Sequence, residues 1–291
     1  MRQAVVLNIC RTPTRIEVQD SPMPPTPPAV IIVFDGCRPD GLAQAATPHV
    51  DSLWQRGAYT WAAQSVVPSY TLPTHTTMFR SVPPDRHGVL SNTFNPAACA
   101  YPSILDVAHA AGLHTAMFYS WGELRDLASP GSLEFSYLRA PRPDEDIDAH
   151  LASVAADYLV RERPDLTFLY LQQSDIAGHD AGWMSRPYLD AIEAMDRALG
   201  LLLARLESAG LREQITFLLL ADHGGQGRTH DGSAPEDTLI PWIISGPAIR
   251  RGHALRQAVH LADTAATLAH ALGLSAPATW EGRPVREAFY D

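Results

Sequence analysis

At 291 residues the chain is long enough for one large globular domain or two small ones, with a substantial core that needs no disulfide or metal staples. Its 46% hydrophobic and 19% charged residues exclude a disordered tail, a collagen and a coiled coil, and a net charge of −10 argues against electrostatic capture of nucleic acid polymers. All 22 basic residues are Arg, which also excludes Schiff-base lysines and lysine-bearing phosphate loops.

In chain order, residues 1–28 read as an N-terminal segment that ends in a proline-dense connector, SPMPPTPP at 21–28, unable to pair as a central strand or continue a helix. The segment lacks the continuous apolar stretch and small-residue cleavage site of a signal peptide, and no apolar run approaches the ~20 residues of a membrane span. A cytoplasmic location without membrane association is therefore expected. Cys10, Cys37 and Cys99 are odd in number, widely spaced and free of any CxxC pattern, which indicates neither a disulfide framework nor a cysteine zinc site and fits a reducing compartment.

A single domain is expected over residues 29–291, with no internal repeat. Residues 29–34 (AVIIVF) open it as an unbroken apolar strand. Thr47-Pro48 starts a helix that Gly57 closes, and a further helix begins near Leu72 with Pro73 in its first turn. Ser103 and Gly112 bracket the next helix, before a strand at 114–119 (HTAMFY). A longer helix at 146–161 precedes the strand at 166–171 (LTFLYL). The long helix at 188–209 precedes the strand at 215–221 (ITFLLLA), and 239–245 is the last apolar run. Strands that read apolar throughout belong in a sheet covered on both faces, so the alternation predicts an α/β fold with a mostly parallel sheet between helices.

Acidic residues follow three of these strands: Asp35, Asp175 and Asp222. In parallel α/β sheets the carboxyl ends of the strands converge on the ligand site, although an Asp after a strand also serves as a turn residue or helix cap. Their company argues for chemistry. His179 stands four residues after Asp175, His223 directly follows Asp222, and His230 comes seven residues later. Aspartate with neutral histidine suits zinc, and also manganese or iron. In PSYTLPTHTT, Thr71 lies at a helix N-terminus, where free amides and the dipole favour an anion; alternatively it is an ordinary N-cap. Tyr70 and Trp183 neighbour these residues and are candidate substrate-binding groups.

The ordered set IIVFDGCRPD, PSYTLPTHTTMFRSVPPDRHGVLSNTF, DIAGH and ADHGG with a later His resembles the alkaline phosphatase superfamily, most closely its type I phosphodiesterase/nucleotide pyrophosphatase branch. The resemblance runs from about residue 29 to about residue 247. It implies a three-layer α/β/α sandwich and two divalent metal ions, zinc first. By the same resemblance Asp35, Thr71, Asp222 and His223 match one metal site, with Thr71 as ligand and nucleophile. Asp175, His179 and His230 match the other, and Asn92 matches an amide that donates to a phosphoryl oxygen.

The resemblance implies a hydrolase of small-molecule phosphoric esters, diesters first, acting through a phosphothreonine. Members of that branch carry a long insertion between the Asp-His pair and the last histidine, whereas His223 and His230 are seven apart here. That departure keeps phosphomonoesters and phosphonates open as substrates. A non-catalytic metal-binding homologue is the competing class.

Overall fold

Residues 26–290 are described by a computed structural model. The expectations for the segment before residue 26, and for Cys10, lie outside the described residues. Among those described, eight strands form one sheet: β1 (Ala29–Phe34), β2 (Gly57–Gln64), β3 (Thr115–Tyr119), β4 (Phe135–Leu138), β5 (Leu166–Leu171), β6 (Thr216–Leu220), β7 (Leu239–Ser245) and β8 (His253–Ala254). Their order is β4-β3-β5-β1-β6-β7-β2-β8. Pairing is parallel from β4 through to β6, antiparallel on both sides of β7, and parallel again between β2 and β8.

β1 sits near the middle because its composition allows nothing else. All six of its side chains are buried, as are those of β5, and each large aliphatic group so removed from water contributes about 1.5–3 kcal/mol. Helices Ile147–Glu162, Arg186–Ser208, Pro48–Gln55, Pro39–Gln44 and Gln173–Ala181 pack on one another in one layer; Thr71–Arg80, Ile104–Ala110 and Asp263–Ala271 pack together in another. The result is the expected α/β/α sandwich.

The register sets the site. Phe34 pairs with Leu171 and Val33 with Leu220, so β1, β5 and β6 end at one level and release Asp35, Asp175 and Asp222 beside each other. Gly36 turns the chain immediately after Asp35 at φ +66°, and a Cβ there would stand 3.1 Å from the Asp175 Cα.

Two cysteine readings separate. Cys37 is free and buried, whereas Cys99 is disulfide-bonded, which corrects the expectation that no cysteine would be. No helix among the described residues is long and apolar enough to cross a membrane.

Candidate functional site

Asp35, Asp175 and Asp222 meet three histidines at the carboxyl edge of the sheet. The carboxylate and imidazole atoms of Asp175, His179 and His230 lie within 4.8 Å of one another, and so do those of Asp35, Asp175 and His223. Asp175 Oδ1 is shared: it is 3.5 Å from His179 Nε2 and 3.6 Å from His230 Nε2. The two imidazole nitrogens are 3.2 Å apart.

His223 Nε2 is the focus of the inner group. Asp35 Oδ1 lies at 3.1 Å, Asp222 Oδ2 at 3.3 Å and Thr71 Oγ1 at 3.4 Å from it. Thus the two sets expected from sequence are each brought together. The inner one is buried throughout, and the outer one opens to solvent at His179, whose side chain is 43% exposed.

Each histidine is oriented by its other nitrogen. Nδ1 of His179 donates to the Arg228 carbonyl at 2.9 Å, Nδ1 of His223 to the Gly224 carbonyl at 2.8 Å, and Nδ1 of His230 to the Ser69 carbonyl at 2.8 Å. A carbonyl accepts only, so one proton is fixed on Nδ1 and Nε2 is turned to the cluster, where it offers a lone pair once it carries no proton, the arrangement that metal-ligating histidines require. Buried Asp35 Oδ1 and Asp175 Oδ1 have no hydrogen-bond partner. Orphaned carboxylate oxygens beside three inward-facing Nε2 atoms fit divalent cations of the zinc, manganese or iron type.

The charge state agrees. Burial, then the facing carboxylates, push the Asp35 carboxyl well above the usual range, and burial and Asp222 also raise Asp175. Burial opposes a charge on His223, but Asp222, Asp35 and Asp175 outweigh it and push the imidazole up to about 10. Burial, with the neighbouring His223, holds His230 down to about 3. Three crowded carboxylates recruit whatever cation is at hand, here a proton on His223, and a metal ion would take that place.

Thr71 is the first residue of the helix Thr71–Arg80. The helix end differs from the expected cradle of free amides. The Leu72 amide is taken by Asn92 Oδ1 at 3.0 Å, Pro73 has none, and the Thr74 amide bonds to the Tyr70 carbonyl at 3.1 Å. Because Asn92 must offer its oxygen to Leu72, its Nδ2 remains as a donor next to Thr71, and Asn92 is exposed.

Tyr70 is half-buried, edge-on to His230 at 6.1 Å. Trp183 is not the stacking surface expected of it. It is 7% exposed, donates Nε1–H to the Gly36 carbonyl at 2.9 Å, and is wedged against Gly178 and Gly225, where a Cβ would come within 2.6 and 2.3 Å of its ring. Those glycines of the AGH and HGG motifs leave room for a wall behind the outer histidines. Arg38, the arginine nearest the motif, braces the Gly225 carbonyl at 2.8 Å and pairs with Asp40.

Sequence reasoning missed the residues that hold the donors. The Tyr170 hydroxyl donates to Asp35 Oδ2, and the hydroxyls of Ser174, Ser65 and Ser69 donate to the backbone carbonyls of Asp35, Asp222 and His230. The signal for Tyr170 was present: a phenol inside a strand buried on both faces must find a hydrogen-bond partner.

The type I phosphodiesterase/nucleotide pyrophosphatase family model matches residues 29–241, which include every candidate ligand. The chain belongs to this family. It is 27% identical over 249 residues to ectonucleotide pyrophosphatase/phosphodiesterase family member 3 of Rattus norvegicus, covering 77% of the chain and 28% of that protein. It is 26% identical over 218 residues to a venom phosphodiesterase of Macrovipera lebetinus, covering 68% and 25%. The chain thus spans about a quarter of these relatives' length. Among solved structures, murine ectonucleotide pyrophosphatase/phosphodiesterase 5, in an inactive form bound to AMP, superposes with a TM-score of 0.78 at 17% identity, covering 91% of this chain and 100% of that one. A 2-O glycosaminoglycan sulfatase superposes at 0.75 with 16% identity, covering 89% and 73%. These likenesses establish the alkaline-phosphatase-like fold.

Proposed function

We propose that the chain is a metal-dependent hydrolase of phosphoric esters, with small phosphodiesters, nucleotide-like ones included, as its first substrate class. The observation that carries this reading is Thr71 Oγ1 standing 3.4 Å from His223 Nε2, where six Asp and His donors converge on one sheet edge. Asp35, Thr71, Asp222 and His223 would hold one divalent ion and Asp175, His179 and His230 the other, zinc fitting the donor set first. Bound there, the ions supply positive charge that lowers the threonine hydroxyl's pKa and offsets charge on the reacting phosphoryl group.

Thr71 Oγ1 then attacks phosphorus as its proton is released to water, which returns a proton to the leaving oxygen. Its bond to phosphorus forms as the ester P–O bond breaks, and the leaving oxygen departs on the side of the open outer cluster. Asn92 Nδ2 and the Thr71 amide donate to the non-bridging oxygens. Water subsequently splits the phosphothreonine, releasing the phosphoryl product and restoring the hydroxyl.

One observation favours a second substrate reading. The link between the two metal-binding histidines is a tight turn, with Gln226 and Thr229 paired as a bridge and Gly227 at φ +57°, and nothing in it resembles a nucleotide-recognising insertion. Phosphomonoesters and phosphonates are therefore the alternative. As for location, the disulfide at Cys99 removes one of the two supports for a cytoplasmic reading.

The test is turnover of bis(p-nitrophenyl) phosphate and p-nitrophenyl phosphate with and without chelator and zinc, in the parent and in Thr71→Ala. Zinc-restored turnover that Thr71→Ala abolishes supports the proposal, and the ratio of the two substrates ranks diester against monoester. Absence of metal-dependent turnover on a broad ester panel sinks it in favour of a non-catalytic homologue.

A further inference from the structure

We propose that Tyr170 and Ser69 are positioning residues that tune the two metal positions separately, Tyr170 the inner one through Asp35 and Ser69 the outer one through His230. The inference rests on the two-metal reading above.

Tyr170 closes the β5 strand one residue before its end and is buried, 3% exposed. Its hydroxyl donates to Asp35 Oδ2, which occupies one carboxylate oxygen and leaves Oδ1, the atom 3.1 Å from His223 Nε2, without a partner. With one oxygen pinned, the carboxylate's rotation is fixed and only the other is free for a cation. The ring is itself fixed, edge-on to His75 at 5.5 Å, while His75 Nδ1 bonds to the Thr71 carbonyl at 2.8 Å.

Ser69 makes a reciprocal pair with His230. Its carbonyl accepts from His230 Nδ1 at 2.8 Å, and its hydroxyl donates to the His230 carbonyl, with the Gly232 carbonyl 3.1 Å away as a second acceptor. Ser69 is fully buried and lies two residues before Thr71. The histidine on the short loop is thereby clamped, ring and backbone, to the segment that carries the nucleophile. Asp35 takes no part in this pair and His230 makes no hydrogen bond to Tyr170, so each hydroxyl holds a different ligand, while Asp175 is common to both clusters and the His223 and His230 rings stack at 3.8 Å.

Partners of ligating groups typically change metal affinity 10- to 100-fold. The experiment strips the protein with a chelator and titrates zinc against a chromophoric competitor, with metal counted by mass spectrometry, in the parent, Ser69→Ala, Ser69→Thr and Tyr170→Phe. The same changes are then made in His179→Ala, where only the inner position remains. Expected are two equivalents in the parent, one of them weakened about 10- to 100-fold by Ser69→Ala and restored by Ser69→Thr. In the His179→Ala background, Ser69→Ala has no further effect and Tyr170→Phe weakens the remaining equivalent. Circular dichroism and thermal melting in chelator verify folding, and a Ser69→Ala or Tyr170→Phe that fails to fold is replaced by Ser69→Gly or Tyr170→Leu, which also lack the hydroxyl. The inference is overturned if the folded variants bind both equivalents as the parent does, or if either change weakens both positions alike. A parent that binds no zinc overturns the two-metal reading instead.

Discussion

The helix that carries Asp175 and His179 begins on a carboxylate from another helix, and that contact gives a signed prediction. Asp148, in Ile147–Glu162, is fully buried and accepts the Gln172 amide at 3.0 Å and the Gln173 amide at 3.0 Å, the amides that open Gln173–Ala181. Burial pushes its carboxyl up to about 7 from an ordinary 3.8, against the pull of those two amides, and Asp146 adds to the rise. A carboxyl raised in the folded state holds a proton that the unfolded chain has released. Its stabilising contribution is fully present below about pH 4 and is lost as the pH rises to about 7. A gap of about 3 pKa units at about 1.4 kcal/mol each amounts to about 4 kcal/mol.

Asp148→Asn removes the ionisation while keeping one acceptor oxygen. Its amide group opposes one of the two backbone N–H groups, a fixed cost that offsets the whole curve without tilting it. Urea unfolding in chelator, so that metal loss does not contribute, should show the variant gaining on the parent by up to about 4 kcal/mol between about pH 4 and about pH 8. Parallel stability curves for the two proteins across that range would refute the reasoning, because they would mean that Asp148 ionises equally in both states.

Gly178→Ala brings a methyl within 2.6 Å of the Trp183 ring and should cost about 1–3 kcal/mol in urea unfolding while weakening zinc binding at the adjacent His179. His179→Ala, at a side chain 43% exposed, should melt like the parent in chelator and lose part of the zinc-induced rise in melting temperature; a saturating ion at 100 times its Kd stabilises by about 2.7 kcal/mol. Acid-quenched turnover of a phosphate ester should leave one phosphoryl group on the peptide containing Thr71, read by mass spectrometry, and none in Thr71→Ala, whose rate should fall on the order of 10³-fold or more.

Much of the frame was legible because burial on both faces writes itself as an unbroken apolar run. β1, β5 and β7 have the bounds their sequences predict, and β6 is shorter than expected by one residue at each end. β2 was missed because its first residue, Gly57, reads as the end of the preceding helix and its burial is neither continuous nor alternating, and β4 because four edge residues alternating in burial are too short to register. The helix Gln173–Ala181 was invisible for a functional reason: its buried positions are Ser174 and Gly178 rather than aliphatic side chains, and Asp175 and His179 stand beside the donor cluster. The ligand candidates stood out as Asp after strands with His at short spacing. Their supports did not, since Ser69 and Asp148 act only through contacts more than twenty residues away. The helix-end amides at Thr71 were over-read, because Asn92 claims one of them.

The central claim is that the donor atoms around Thr71 enclose two divalent cations. Anomalous diffraction from crystals soaked in zinc tests it most directly. The account predicts two strong peaks, one among Asp35, Asp222, His223 and Thr71 Oγ1 and one among Asp175, His179 and His230. Zinc found elsewhere on the surface with both clusters empty, or a single peak remote from the threonine hydroxyl, would contradict it.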